Sequence, residues 1–199
     1  MAMLRYIAIN WQRALPYLAA LGLLAWVLLF RNNPWSEQAL FAALFVIYVL
    51  HQIEEHLWPG GFRQFANAHV FKSGNDDWPV SAGGVALVNT AYVWLPVGLA
   101  AVFPGTLRWV GLCWMGLTLI NALTHIVTTV RLGIYNAGLV TSIVLFLPFT
   151  IFALAQEFSR GQLNTGDIGL ILLAGILLHL PVMALFAVPF LRRERRAAQ

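Results

Sequence analysis

Charge is what this chain has least of: Asp, Glu, Lys and Arg make up 10% of its 199 residues. An ordinary soluble domain carries about 25% charged residues, so a water-exposed globular surface is excluded. Cysteine is nearly absent as well. Cys113 stands alone, which rules out an internal disulfide framework and any CxxC redox or metal motif. The chain also has no low-complexity segment and no internal repeat, so residues 1–199 are expected to form a single domain. What it has in abundance is apolar residues, 60% of the total, with a mean hydropathy of +0.74. That composition identifies a polytopic membrane protein whose principal surroundings are the lipid bilayer. The formal charge of +4 resides on residues that flank apolar runs. These are topology signals, and no nucleic-acid partner is expected.

The spacing predicts an all-α bundle of about six transmembrane helices. The first apolar run, about Leu15 to Phe30, lacks a small-residue cleavage site and reads as a retained helix. The second covers about Gln38 to Leu57 and stops at Trp58-Pro59-Gly60-Gly61. The third is expected to begin after Asp76-Asp77-Trp78-Pro79, where an acidic cap and an early proline suit a helix start, and to end near Phe103-Pro104-Gly105. The fourth spans about Leu107 to Val130, the fifth runs from after Asn136 to about Ala155, and the sixth from about Ile168 to Phe190. If the N-terminus is cytoplasmic, Arg5, Arg13, Arg63, Lys72, Arg131, Arg192, Arg193, Arg195 and Arg196 lie inside, against Arg31, Arg108 and Arg160 outside. Both termini are therefore expected in the cytoplasm, with a bacterial cytoplasmic membrane the expected location.

Against this apolar background one run is anomalous. His51-Gln52-Ile53-Glu54-Glu55-His56 closes the second span, and a charged side chain inside a span costs roughly 2.5–3.5 kcal/mol. Two carboxylates in the last turn also face the negative end of the helix macrodipole. A bound cation cancels both penalties. At about 1.5 Å per residue, His51 lies roughly 9 Å below the cytoplasmic interface and His125, on the fourth span, roughly 8 Å. Glu54 and Glu55 follow His51 by three and four residues, so either can share its face. On the fourth span Thr118, Asn121, Thr124, His125 and Thr128 form one polar stripe, which must face the bundle interior. His179 on the sixth span lies roughly 16 Å deep and is a further candidate that requires helix tilt to join. His56 reads as an interface residue beside Trp58. Phe62, Phe65, Ala66 and His69 share the face of an amphipathic segment lying over the cluster. Asn89 and Asn136 are additional polar positions, Asn136 placed to cap the fifth span.

His51-Gln52-Ile53-Glu54-Glu55 resembles the HxxEE motif that names a family of small integral membrane proteins, and Asn121-Ala122-Leu123-Thr124-His125 resembles that family's NxxxH signature. The resemblance implies that His51, Glu54, Glu55, Asn121 and His125 belong to one site, in a family regarded as enzymatic without an assigned substrate.

From the residues, imidazole and carboxylate together suit a divalent transition metal, zinc first, with iron or manganese as alternatives. His51 and His125 are the expected ligands, with His179 a candidate. One of Glu54 and Glu55 completes the set, and the other serves as general base or orients a histidine. Asn121 is placed to donate to a developing oxyanion or to fix the His125 tautomer. Three protein ligands leave a position for water, whose pKa a catalytic metal lowers to about 7. The expected function is metal-dependent hydrolysis or isomerisation of a lipid-like substrate reached from the cytoplasmic leaflet. Two other classes stay open: a proton or cation relay or transporter, and a metal-free structural protein in which a glutamate pairs with His125.

Overall fold

The structure is a computed structural model and describes residue 6 and residues 9–197. Arg5, counted in the charge asymmetry, lies outside the described residues. The chain is 82% helical, with no strand among the described residues. Six helices are long and apolar enough to cross a membrane: α1 (Trp11–Phe30), α2 (Glu37–His56), α4 (Ala82–Val102), α5 (Pro104–Leu132), α6 (Leu139–Ser159) and α7 (Thr165–Ala197). A short helix over residues 62–70, α3, lies between α2 and α4.

Local chemistry explains where these helices begin. Ser36 starts α2 by accepting the Ala39 amide at 3.2 Å. The third span begins at Ala82, after the acidic stretch as expected, but no aspartate caps it, because Asp76 to Val80 are held in a turn. Buried Asn67 donates to the carbonyls of Asp76 (2.7 Å) and Val80 (3.0 Å) and accepts from the Val80 amide (2.8 Å). Asp77 pairs with Arg63, and the cap of α4 passes to Ser81, which accepts from Gly84 at 3.1 Å. The last span likewise starts at Thr165. Asn164 and Asp167 exchange side-chain to backbone bonds of 2.8 and 3.1 Å, a reciprocal cap. The fourth span begins at Pro104, three residues early, and has a non-helical residue at Leu107.

α2 runs through the middle of the bundle. Leu40, Phe41 and Leu44 are buried against Val97, Leu112, Met115 and Phe146 from α4, α5 and α6. α5 and α7 cross where neither can carry a side chain. A Cβ on Gly116 would come within 2.1 Å of the Ile171 carbonyl, and one on Gly175 within 2.4 Å of the Gly116 carbonyl, so small residues set the close approach. At the end of the bundle away from the His/Glu run, Arg108 ties Glu37 (3.0 Å) to Glu157 (2.9 Å), joining the ends of α2, α5 and α6.

Three stretches open from α-helix into wider i→i+5 turns: Ala66–Val70, Val88–Trp94 and Ser142–Phe146. Such turns rotate the side chains that follow them relative to a regular helix. All three border the polar end of α2, and they carry or adjoin Asn89, Thr141 and the roof formed by α3.

Candidate metal centre

His51 and Glu55 stand one turn apart on α2, and His125 faces them from α5. The two imidazole rings meet edge to face with centroids 5.0 Å apart. Glu55 Oε1 lies 3.6 Å from His51 Nε2 and 3.3 Å from His125 Nε2. All three residues are buried, and one ligand atom from each lies within 4.8 Å of the others. Ligands about 2.1 Å from a tetrahedral ion are separated by roughly 3.4 Å, close to the 3.6 and 3.3 Å between Glu55 Oε1 and the two Nε2 atoms. The His51–Glu55–His125 group could therefore hold a metal ion.

The orientation of His51 follows from Glu54. That carboxylate lies at the C-terminal end of its own helix, where the dipole disfavours it, yet it also meets the N-terminal end of α6, where the dipole favours it. Oε1 accepts from the Tyr135 hydroxyl (2.5 Å) and the Val140 amide (3.0 Å). Oε2 accepts from the Thr141 amide (2.7 Å) and the Thr141 hydroxyl (2.5 Å). Having donated its proton to Glu54, the Thr141 oxygen accepts from His51 Nδ1 at 2.8 Å. His51 thus carries its proton on Nδ1 and turns the Nε2 lone pair toward Glu55 and His125. Partial burial and the neighbouring carboxylate push the Tyr135 phenol above its usual range, which keeps it a donor.

Gly138 completes the arrangement from the loop before α6. Its φ of 102° is left-handed, and a Cβ there would lie 2.5 Å from His125 Cε1 and 2.8 Å from His51 Cε1. The backbone at this glycine packs directly on both rings.

A second chain of hydrogen bonds reaches the far side of Glu55. The Trp94 indole, which can only donate, gives its proton to Gln52 Oε1 at 2.7 Å. Gln52 Nε2 then donates to Asn89 Oδ1 at 2.7 Å, and Asn89 Nδ2 donates to His56 Nε2 at 3.1 Å. The direction of every bond is set by the indole, leaving His56 Nε2 an acceptor 3.5 Å from Glu55 Oε2.

Of the residues singled out in the sequence, the structure brings together His51, Glu55 and His125. Asn121 lies beside them, its amide nitrogen 3.4 Å from His51 Nε2. Glu54 is not in the group, because the free amides of α6 and two hydroxyls occupy both of its oxygens. His179 is not in it either, since its Nδ1 donates to the Gly175 carbonyl one turn earlier at 2.8 Å. Asn136 does not cap α6 through its side chain. Gly138 holds the cap position, and the Asn136 side chain is buried. His69 packs at a tilt on Phe65, ring centroids 5.1 Å apart, and is not part of the group. Phe62 of α3 does reach it, its ring 5.8 Å from that of His125. Thr141, Tyr135, Gly138 and Gln52 were not singled out. For Gly138 the signal was the Asn136-Ala137-Gly138 loop at a helix start; for Thr141 nothing in its apolar neighbourhood marks it.

A cavity of about 240 Å³ opens against Glu55, Asn121 and His125, roofed by Phe62 and Phe65 of α3. Its remaining walls are mainly apolar residues of α4, α5 and α7.

A family model described as "Protein of unknown function with HXXEE motif" matches residues 42–153, more than half of the chain. The matched segment runs from α2 into α6 and contains the three group residues and both hydrogen-bond chains. No curated protein and no solved structure matches the chain.

Proposed function

This chain belongs to the HXXEE-motif family, whose function is unknown, and from its geometry we propose a membrane-embedded, metal-dependent enzyme of the hydrolase or isomerase type. The observation that carries the reading is the ligand spacing combined with the His51 tautomer. Three buried ligand atoms lie within 4.8 Å of one another, and the Thr141–Glu54 relay aims a lone pair among them. Two imidazoles and one carboxylate without a thiolate favour zinc, with iron or manganese compatible. Bound there, the cation supplies Lewis acidity.

The protein residues do the rest. His51, His125 and Glu55 hold the ion, and Glu54 orients His51 through Thr141. Asn121 points an amide donor at the same space, where it can stabilise negative charge growing on a substrate oxygen. α3 and the apolar walls keep water out of the cavity and admit a lipid-like molecule. We place this end of the bundle in the cytoplasmic leaflet of a bacterial cytoplasmic membrane, on the strength of the basic residues around it. A transport reading has less support, because Glu37, Arg108 and Glu157 at the opposite end are locked in ion pairs and line no path.

The test is a lipid comparison. Zinc-loaded protein and a Glu55→Gln variant are each incubated with total membrane lipid, and the extracts are compared by untargeted mass spectrometry. A lipid consumed and a product formed only with the unsubstituted protein is expected. Identical extracts with fully zinc-loaded protein would count against an enzyme.

A further inference from the structure

The cavity beside the group shares part of its wall with a second groove on the outside of α4 and α7. A groove between α4 and α7, walled by Leu87, Ala91, Pro181 and Leu185, shares Val88, Tyr92 and Val182 with the cavity. Leu87 and Leu185 are exposed, and on membrane-spanning helices that exposure faces hydrocarbon. At the shared wall the Tyr92 hydroxyl donates to the Leu178 carbonyl at 2.8 Å, a single bond bridging α4 to α7. The groove and the cavity therefore meet at one mainly apolar wall, and Glu55 and His125 line the cavity.

The polar lining of the cavity offers both donors and acceptors. The Thr124 hydroxyl and His179 Nδ1 are spent on the Ile120 and Gly175 carbonyls (2.9 and 2.8 Å), but the Asn121 amide still presents a donor to the cavity and buried His125 Nδ1 has no partner. Beside these stand acceptors. Glu55 offers a carboxylate and His179 its Nε2 lone pair. The Asn136 side-chain oxygen, Oδ1, is buried with no hydrogen-bond partner, in a residue only 4% exposed. A buried acceptor without a donor is costly, so an occupant that brings donors is favoured. A hydroxyl head both donates and accepts, whereas a carboxylate or phosphate head could use the Asn121 amide but would leave the Asn136 side-chain oxygen unpaired.

We propose that the cavity and groove bind an uncharged single-chain lipid headed by hydroxyl groups, of the long-chain alcohol or monoacylglycerol class, with its tail in the α4–α7 groove and its hydroxyls toward Asn136 and His179. At about 240 Å³ the cavity is below the ~300–1,000 Å³ of drug-sized sites, which suits one chain and not two. The inference rests on the proposed function in taking the Glu55–His125 edge as the reacting end.

The experiment titrates the full chain in nanodiscs with monodecanoylglycerol and, separately, with decanoate, counting bound lipid by native mass spectrometry. Saturable uptake of one monodecanoylglycerol is expected, with at least a roughly tenfold preference over decanoate. Asn136→Leu is expected to bring the two affinities close together. Val182→Trp, which fills the shared wall, is expected to weaken both about tenfold; if that variant does not fold, Ala91→Trp on the lipid face obstructs the groove instead and is expected to slow uptake. Equal affinity for the two head groups in the unsubstituted protein would overturn the inference, as would undiminished uptake by a folded blocking variant. Metal content of the same samples separates the two readings. A metal-free protein that still prefers monodecanoylglycerol upholds the lipid class and overturns the metal centre, and a metal-loaded protein indifferent to the head group does the reverse.

Discussion

Replacing Thr141 by valine keeps the β-branch and the shape of the side chain and removes one hydroxyl. That hydroxyl links Glu54 to His51: it donates to Glu54 Oε2 at 2.5 Å and accepts from His51 Nδ1 at 2.8 Å. Without it the buried Nδ1–H has no acceptor, a loss of about 1–3 kcal/mol. The ring can avoid this by moving its proton to Nε2, toward Glu55 at 3.6 Å, but the lone pair then leaves the group. Either outcome weakens metal binding, and the expected loss is that of other orienting partners of metal-bound histidine, about 10–100-fold, or about 1.4–2.7 kcal/mol. Glu54 keeps its bonds to the Val140 and Thr141 amides and to Tyr135. The start of α6 should therefore stand, with metal-free stability reduced by no more than about 1–3 kcal/mol, the same lost hydrogen bond. Zinc affinity is measured by competition with a chromophoric chelator, and thermal unfolding of the metal-free protein is followed by circular dichroism. If Thr141→Val binds zinc as tightly as the parent while His51→Ala does not, the tautomer argument is wrong.

Gly138→Ala places a Cβ where His51 and His125 already are, at a left-handed φ. It should cost about 1–3 kcal/mol from the backbone alone and abolish zinc binding; thermal unfolding and a zinc titration read the two effects, and an unchanged titration would show that the glycine does not position the rings. Membrane orientation is read with single cysteines in a Cys113→Ser background: Gln64→Cys should be labelled by an impermeant maleimide only from the cytoplasmic side and Gln162→Cys only from the opposite side. The reverse pattern would invert the proposed topology.

Much of the bundle was legible in the sequence because hydropathy and turn chemistry are local. Gly133 closes α5 with a left-handed φ, and Pro59-Gly60-Gly61 follows α2, as their residue types require. The caps of α4 and α7 are less legible because they depend on partners: Asn67 holds the acidic stretch in a turn across nine to thirteen residues, and the Asn164–Asp167 exchange starts α7 ahead of its apolar boundary. At the site, counting residues along two helices was enough to put His51 and His125 at one depth. It could not divide the glutamates, since positions three and four after His51 reach the same face. That division depends on which carboxylate meets the N-terminus of α6, a contact between residues 86 and 87 apart in the chain. The same distance hides Thr141, and the chain from Trp94 to His56 is invisible until α2 and α4 are packed.

The account stands most directly on the metal content of the purified protein, measured per chain by elemental analysis beside His51→Ala and Glu55→Gln variants that fold. One transition-metal ion per chain in the unsubstituted protein, lost from both variants, is the expected result. A metal-free protein after purification with zinc present, or metal retained equally by all three, would contradict it.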